Sequence, residues 1–152
     1  MTEALRLREE EREVALAEAQ AVYAVAGDPD YRDELAALIA AADEGALADG
    51  EAQTLERVVE LGLQSGRIRA VYGPGGEQAA LRLYRRLPRG SEVGASARAV
   101  TDALGGLTGR RLDDVKLEAV GPGSFALVLV VDGSEVSIRL DRQGARLASV
   151  GA

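Results

Sequence analysis

The stretch FALVLVVDGSEVSIRL, residues 125–140, decides the fold of the second half of this chain. At its centre is Asp132-Gly133, and an Asp-Gly pair supplies the two positive-φ residues of a two-residue hairpin turn. Such a turn fixes the register of the two strands that it joins. The predicted pairs are Leu129 with Val136, Leu127 with Ile138, and Phe125 with Leu140. We therefore predict an antiparallel hairpin with one continuous apolar face.

Two further strand-like runs flank the hairpin, and an amphipathic helix precedes them. The runs cover residues 115–120 and 145–150, which predicts an antiparallel meander of three or four strands with the last strand at an exposed edge. The helix is predicted from Ser91, which can cap it, to Leu104. Its apolar stripe consists of Val93, Ala97, Val100 and Leu104. We expect this helix to pack on the meander.

The first half of the chain is predicted to be helical. Apolar periodicity indicates helices over residues 3–26, 29–42, 51–63 and 77–87. Asp28-Pro29 starts the second helix, while residues 73–76 (GPGG) break the chain and residues 68–72 fit no element. The sum is an α+β fold, with a helical N-terminal half of three to four helices followed by a helix packed on an antiparallel three- to four-stranded β-meander. The predicted domains are residues 1–87 and 88–152.

Composition excludes several kinds of chemistry. The 152 residues contain neither His nor Cys, which rules out zinc sites with Cys or His ligands, a Ser-His-Asp triad, a thiol nucleophile and disulfides. For acid–base catalysis only carboxylates, tyrosines and Lys116 remain. Asp113 and Asp114 are adjacent, so in a strand they point to opposite faces. We predict no catalytic residue, no metal site and no cofactor, and hence a protein that is not an enzyme.

Charge is distributed unevenly along the chain. Residues 1–60 carry 16 acidic against 5 basic side chains, whereas residues 61–152 carry 9 acidic against 13 basic ones. The two halves therefore attract each other or have separate partners. Of the 18 basic residues 17 are Arg, which, with the abundant Ala, Gly, Leu and Val, is typical of a GC-rich bacterial genome.

The expected location is the cytoplasm. The N-terminal sequence TEALRLREEEREV is too charged for a signal peptide. The longest apolar run near the end, Phe125 to Val131, is far shorter than the roughly 20 residues of a membrane helix. We therefore expect no membrane association.

One helix face is predicted to be strongly basic. Arg82, Arg85, Arg86 and Arg89 lie within an arc of about 100° on the helix over residues 77–87 and its extension. Four guanidinium groups on one face can bind phosphates or an acidic protein surface. The alternative is a solvated face, or one paired internally with the acidic N-terminal half. These four arginines are the only candidate binding residues.

The loop from Asp43 to Glu51 has the spacing of an EF-hand when Gly45 is taken as the turn glycine, but Ala40 and Ala42 occupy two ligand positions. Over residues 30–65 the same segment resembles the helix–loop–helix of tellurite-resistance (TerB-like) domains, in which an acid-Gly pair precedes a Glu. The plain alternative is a helix hairpin with a glycine turn and an N-cap from Asp49. We favour the hairpin.

Function is therefore expected to lie in contacts. The leading hypothesis is a non-enzymatic interaction module, that is, an adaptor, assembly factor or scaffold component with an acidic helical surface. Its expected partner is another protein, with self-association into a homodimer as a further expectation. The runner-up is a nucleic-acid or anionic-ligand binder that uses the face from Arg82 to Arg89. Nucleic acid is the less favoured partner because the whole chain is acidic, at a net charge of −7.

Overall fold

The computed structural model describes residues 3–151 and confirms the predicted α+β class. Within that range the chain forms five helices and six strands. In chain order these are β1 (Leu5–Arg6), α1 (Glu9–Val25), α2 (Pro29–Glu44), β2 (Ala46–Leu47), α3 (Asp49–Gln64), α4 (Arg67–Arg86), α5 (Pro88–Gly105), β3 (Leu112–Gly121), β4 (Ser124–Val131), β5 (Ser134–Asp141) and β6 (Gly144–Gly151).

The chain divides into two compact units, Met1–Ser91 and Glu92–Ala152. The domain assignment of residues 1–87 and 88–152 stays a prediction. In the first unit, α1 to α4 enclose a core of fully buried side chains. Its largest members include Leu35, Leu38, Leu55, Ile68 and Leu83. None of the helices in residues 3–151 is both long enough and apolar enough to cross a bilayer.

The C-terminal sheet has the strand order β3-β4-β5-β6, antiparallel throughout. Asp132 and Gly133 form the predicted turn, with φ values of 49° and 81°. The register between β4 and β5 is confirmed at all three predicted pairs: Phe125 with Leu140, Leu127 with Ile138, and Leu129 with Val136. β6 lies at an edge, as predicted. The meander also leaves β3 as a second edge, on the side away from β4.

The predicted helix over residues 3–26 is wrong in its first turns. Leu5 and Arg6 form β1, which pairs with Leu47 and Ala46 of β2 in a two-stranded antiparallel sheet. The N–H of Leu7 donates to the Gly45 carbonyl at 2.9 Å and extends this pairing. Backbone pairing with a distant segment thus replaces the helical hydrogen bonds of these residues, which local periodicity cannot predict.

The second helix begins as predicted. Asp28 is its N-cap, and its carboxylate accepts the N–H of Asp30 at 3.0 Å. Pro29 is the first residue of α2, where its missing N–H costs no hydrogen bond.

The GPGG segment bends α4 rather than separating two distant elements. Gly73 has φ 72° and ψ −173°, a conformation that breaks the helix, and Pro74 begins the continuation. The break is thus confirmed. Residues 68–72, to which the sequence assigns no element, belong to the first turns of α4.

The helix predicted from Ser91 begins three residues earlier, at Pro88, and ends at Gly105. Ser91 is therefore not its cap. Val100, at the centre of the predicted stripe, is buried. Farther along the same helix, the Ser96 hydroxyl accepts the N–H of Ala145 at 3.2 Å, which joins α5 to the start of β6.

Candidate functional site

Two of the four predicted arginines contact the N-terminal part of the chain. Arg82 Nη2 donates to Glu10 Oε2 at 2.6 Å. Arg86 donates from Nη1 to Glu11 Oε2 at 2.5 Å and from Nη2 to the carbonyl of Arg6 at 2.6 Å. These bonds tie α4 to α1 and to the segment that precedes it.

The other two arginines of this face differ from each other. Arg89 Nη1 donates to Glu60 Oε2 at 2.7 Å. Arg85 is exposed, and within residues 3–151 it makes neither a side-chain hydrogen bond nor an ion pair. Three of the four guanidinium groups thus lie against carboxylates of the acidic half, which is the internal pairing that the sequence left open. Their role in binding a ligand stays a prediction.

Glu11 is buried, with only 1% of its surface exposed, and lies in the first turn of α1. Its Oε2 accepts the N–H of Arg8 at 2.9 Å in addition to Arg86, whereas its Oε1 has no hydrogen-bond partner among the described residues. A buried carboxylate is costly unless it is paired, so the ion pair with Arg86 offsets the cost of burying Glu11. This structural role was not anticipated, because the sequence around Glu11 is a run of charges that is typical of a solvated face.

Glu18 is the second buried carboxylate, also 1% exposed. Its Oε1 accepts the Tyr72 hydroxyl at 2.8 Å and the Nε of Arg67 at 3.2 Å. Burial, followed by the bond to Glu18, raises the pKa of the Tyr72 phenol. The bond to Glu18 raises the pKa of the Arg67 guanidinium. A lone charge inside the Ala-rich part of α1 was the available sequence signal for this cluster.

Glu56 caps the N-terminus of α5. Its Oε1 accepts the N–H of Arg89 at 2.5 Å and that of Gly90 at 3.1 Å. A Cβ at Gly90 would overlap the Tyr84 carbonyl, so this close approach requires glycine. The cap explains why α5 begins at Pro88: a carboxylate from another helix satisfies the first amides and stabilises the positive end of the helix dipole.

The loop between α2 and α3 is a helix hairpin. Gly45 adopts the left-handed conformation at φ 81° and ends α2. Glu51, in the position of a terminal calcium ligand, accepts the N–H of Ala48 at 2.9 Å, while Asp43 pairs with Arg12. The N-cap of α3 is therefore Ala48 and not Asp49. Across residues 3–151 no three metal-ligating side chains come together.

A groove of the first unit lies between α1 and α4 and has a volume of about 480 Å³. Glu10, Glu13 and Tyr72 are on its walls. Glu10 is engaged by Arg82, and the Tyr72 hydroxyl is engaged by Glu18. Among the described residues that line it, the groove thus offers no pair of free acid–base groups.

The second unit presents an apolar strand edge. Every residue of β3 is exposed, and β3 pairs with β4 on one side only. Its large apolar side chains are Leu112, Val115, Leu117 and Val120, which are 53%, 51%, 61% and 43% exposed. Long, exposed apolar edge strands are rare in monomers because they template pairing with another chain.

Two opposite charges, Lys116 and Glu118, lie on the face of this strand opposite to Val115 and Leu117. Lys116 Nζ is 2.9 Å from Glu118 Oε1, and this bond raises the pKa of the Lys116 ammonium. The sequence did not single out this edge, since an alternating strand by itself does not show which of its sides is left without a neighbour.

Comparison with protein-family models, with curated proteins and with solved structures finds no match to this chain.

Proposed function

We propose that this protein is a non-enzymatic interaction module, an adaptor, assembly factor or scaffold component, whose contact surface is the edge of its C-terminal sheet. The observation that carries the proposal is that every residue of β3 is exposed, including four large apolar side chains. Covering apolar surface and satisfying unpaired strand amides both favour association with another polypeptide.

The charge of the helical unit supports an additional acidic contact surface. Within residues 3–91, seven arginines form ion pairs with carboxylates. Residues 1–91 contain 17 acidic and 11 basic side chains. Because most of the basic side chains are in ion pairs, an excess of carboxylates is left. A partner that meets this unit would present basic groups, and the contact would weaken as salt is added.

A cytoplasmic setting is part of the proposal. The chain has no cysteine, so its fold depends on no disulfide and is compatible with a reducing compartment.

The absence of cysteine also allows a direct test by site-specific crosslinking. A photo-crosslinker attached to Leu117→Cys, on β3, should capture a defined protein from an extract of the source cells. The same reagent on Arg142→Cys, an exposed position in the β5–β6 turn, is the matched control. Identical products from both positions, together with turnover of a metabolite panel by the unlabelled protein, would overturn the proposal.

A further inference from the structure

We propose that the partner of β3 is a second copy of this chain, whose own β3 pairs with it antiparallel and centred on Leu117. The inference rests on the proposed function, because it assigns an occupant to the same edge. The result is a symmetric dimer with one continuous eight-stranded sheet.

The side chains of β3 are divided between the two faces of the sheet. Val115, Leu117 and Ala119 lie opposite Leu129, Leu127 and Phe125 of β4, and therefore belong to the apolar face of the sheet. Lys116 and Glu118 alternate with them and lie on the other face. A correct partner strand must continue both faces, because residues directly opposite in an antiparallel pair point to the same side.

Two copies of β3 are complementary in charge when they pair in this register. When Leu117 lies opposite Leu117 of the second copy, Lys116 lies opposite Glu118 of that copy, and the symmetry repeats the pair. Val115 then lies opposite Ala119 of the second copy, so the apolar face stays apolar across the junction. Each Lys116 ammonium then lies between the Glu118 of its own chain, which is 2.9 Å away in the single chain, and the Glu118 of the second copy.

Neighbouring registers lack this match. A pairing centred on Lys116 places Lys116 opposite itself and Asp114 opposite Glu118. A pairing centred on Val115 brings Asp114 opposite Lys116 but places Leu117 opposite Asp113, where the β3–β4 ladder is already irregular. Shifts that exchange the two faces place Lys116 and Glu118 opposite apolar side chains. The register centred on Leu117 has a charge opposite an apolar residue only at Asp114 and Val120, where the β3–β4 ladder is irregular between Ala119 and Gly121.

The other edge, β6, is less suited to self-pairing. Its ladder with β5 is irregular in the middle of the strand, between Leu147 and Ser149, and such a bulge disturbs further strand addition. The two irregularities of β3 lie outside residues 114–119, which pair regularly with β4. Arg146 is paired with Asp141 of its own chain, and residues 145–150 contain no acid that would oppose it. Residues 92–152 carry 8 acidic and 7 basic side chains, so two copies of this unit do not repel each other through net charge.

The experiment is sedimentation equilibrium of the full chain and of two charge variants over a range of concentrations. Wild type should reach twice the chain mass of 15.9 kDa. Lys116→Glu and Glu118→Lys each create two like-charge pairs and should be monomeric at concentrations where wild type is dimeric. In an equal mixture, the first variant has carboxylates at positions 116 and 118, and the second has ammonium groups at both. Each carboxylate then lies opposite an ammonium group, so the mixture should recover the dimer mass.

Matched controls separate this register from a general charge effect. Arg142→Glu and Glu92→Lys make the same charge changes at exposed positions outside β3 and should leave the dimer intact. A monomeric wild type at every concentration, variants that still dimerise, or a mixture that stays monomeric would each overturn the inference. None of these outcomes affects the crosslinking of a different protein at Leu117, so failure of self-pairing is distinguishable from failure of the proposed function.

Discussion

The Tyr72 hydroxyl donates a hydrogen bond to Glu18 Oε1 at 2.8 Å, joining residues that are 54 positions apart in the chain. Arg67 binds the same carboxylate from the start of α4. Both donors precede the break at Gly73, so the first segment of α4 is fixed to α1 by one buried acid. This cluster organises the helical unit and engages the buried acid fully in internal bonds.

Removing the Glu18 carboxylate is expected to destabilise the protein strongly. Glu18→Ala should lower the free energy of unfolding by about 2–3 kcal/mol, because it leaves the half-buried Tyr72 phenol and the Arg67 guanidinium without their acceptor. Tyr72→Phe removes only one donor and should cost about 1 kcal/mol. Urea unfolding measures both variants, and equal losses would contradict the assigned geometry.

Stability is expected to fall in alkaline solution. The folded-state pKa of Tyr72 is raised by burial and then by Glu18, and that of Tyr84 by burial and then by Glu60. The folded chain therefore keeps protons that the unfolded chain releases above the ordinary phenol pKa of about 10. The free energy of unfolding should be level below that pH and decrease as pH rises through the folded-state pKa. Tyr72→Phe should have a shallower decrease, and an unchanged slope would count against the shift.

On the arginine face, we expect Arg86 to contribute to stability and its neighbour Arg85 not to. Arg86→Gln should lower the free energy of unfolding by about 2 kcal/mol, because the buried Glu11 loses its cation. Arg85→Gln, on an exposed side chain, should stay within about 0.5 kcal/mol of wild type. Thermal melts of both variants, together with assays of their binding to a phosphate polymer, test this difference. Equal stabilities, combined with salt-sensitive binding that needs both residues, would favour the anion-binding alternative.

The cap of α5 is expected to depend on Glu56. Glu56→Ala should cost about 1–2 kcal/mol, since it leaves two helix amides in a buried site without an acceptor. The control is Glu60→Ala, which removes the acceptor of the exposed Arg89 side chain and of the Tyr84 hydroxyl but of no helix amide, and should cost about 1 kcal/mol or less. The Gly90 amide resonance in NMR spectra should shift only in the first variant. A larger loss for Glu60→Ala would contradict the capping role.

Features encoded by adjacent residues could be predicted from the sequence. Asp132-Gly133 sets its own turn geometry and thereby the register of two strands, and Asp28-Pro29 starts a helix with local bonds alone. Features that depend on residues distant in the chain could not be predicted in this way. Leu5 leaves the helical state because Leu47 offers a backbone partner, and α5 begins at Pro88 because Glu56 reaches its amides from another helix.

The candidate sites follow the same division. The arginine face could be predicted from the sequence, because helical spacing alone places the four arginines on one side of the helix. Its ion pairs with Glu10 and Glu11 depend on how α1 packs against α4, which the charges predict only as a general attraction. The exposed edge required the strand order of the whole sheet, because only that order shows that β3 has a neighbour on one side.

Amide hydrogen exchange across residues 114–119, recorded at low and at high chain concentration, tests most directly that β3 is a contact edge. Strand pairing protects amides from exchange. We expect the outward amides of β3 in wild type to exchange more slowly as concentration rises, while those of Glu118→Lys keep one rate throughout. The claim that β3 is a contact edge would be contradicted if these amides exchanged at the same fast rate in wild type and variant, at every concentration and after addition of cell extract.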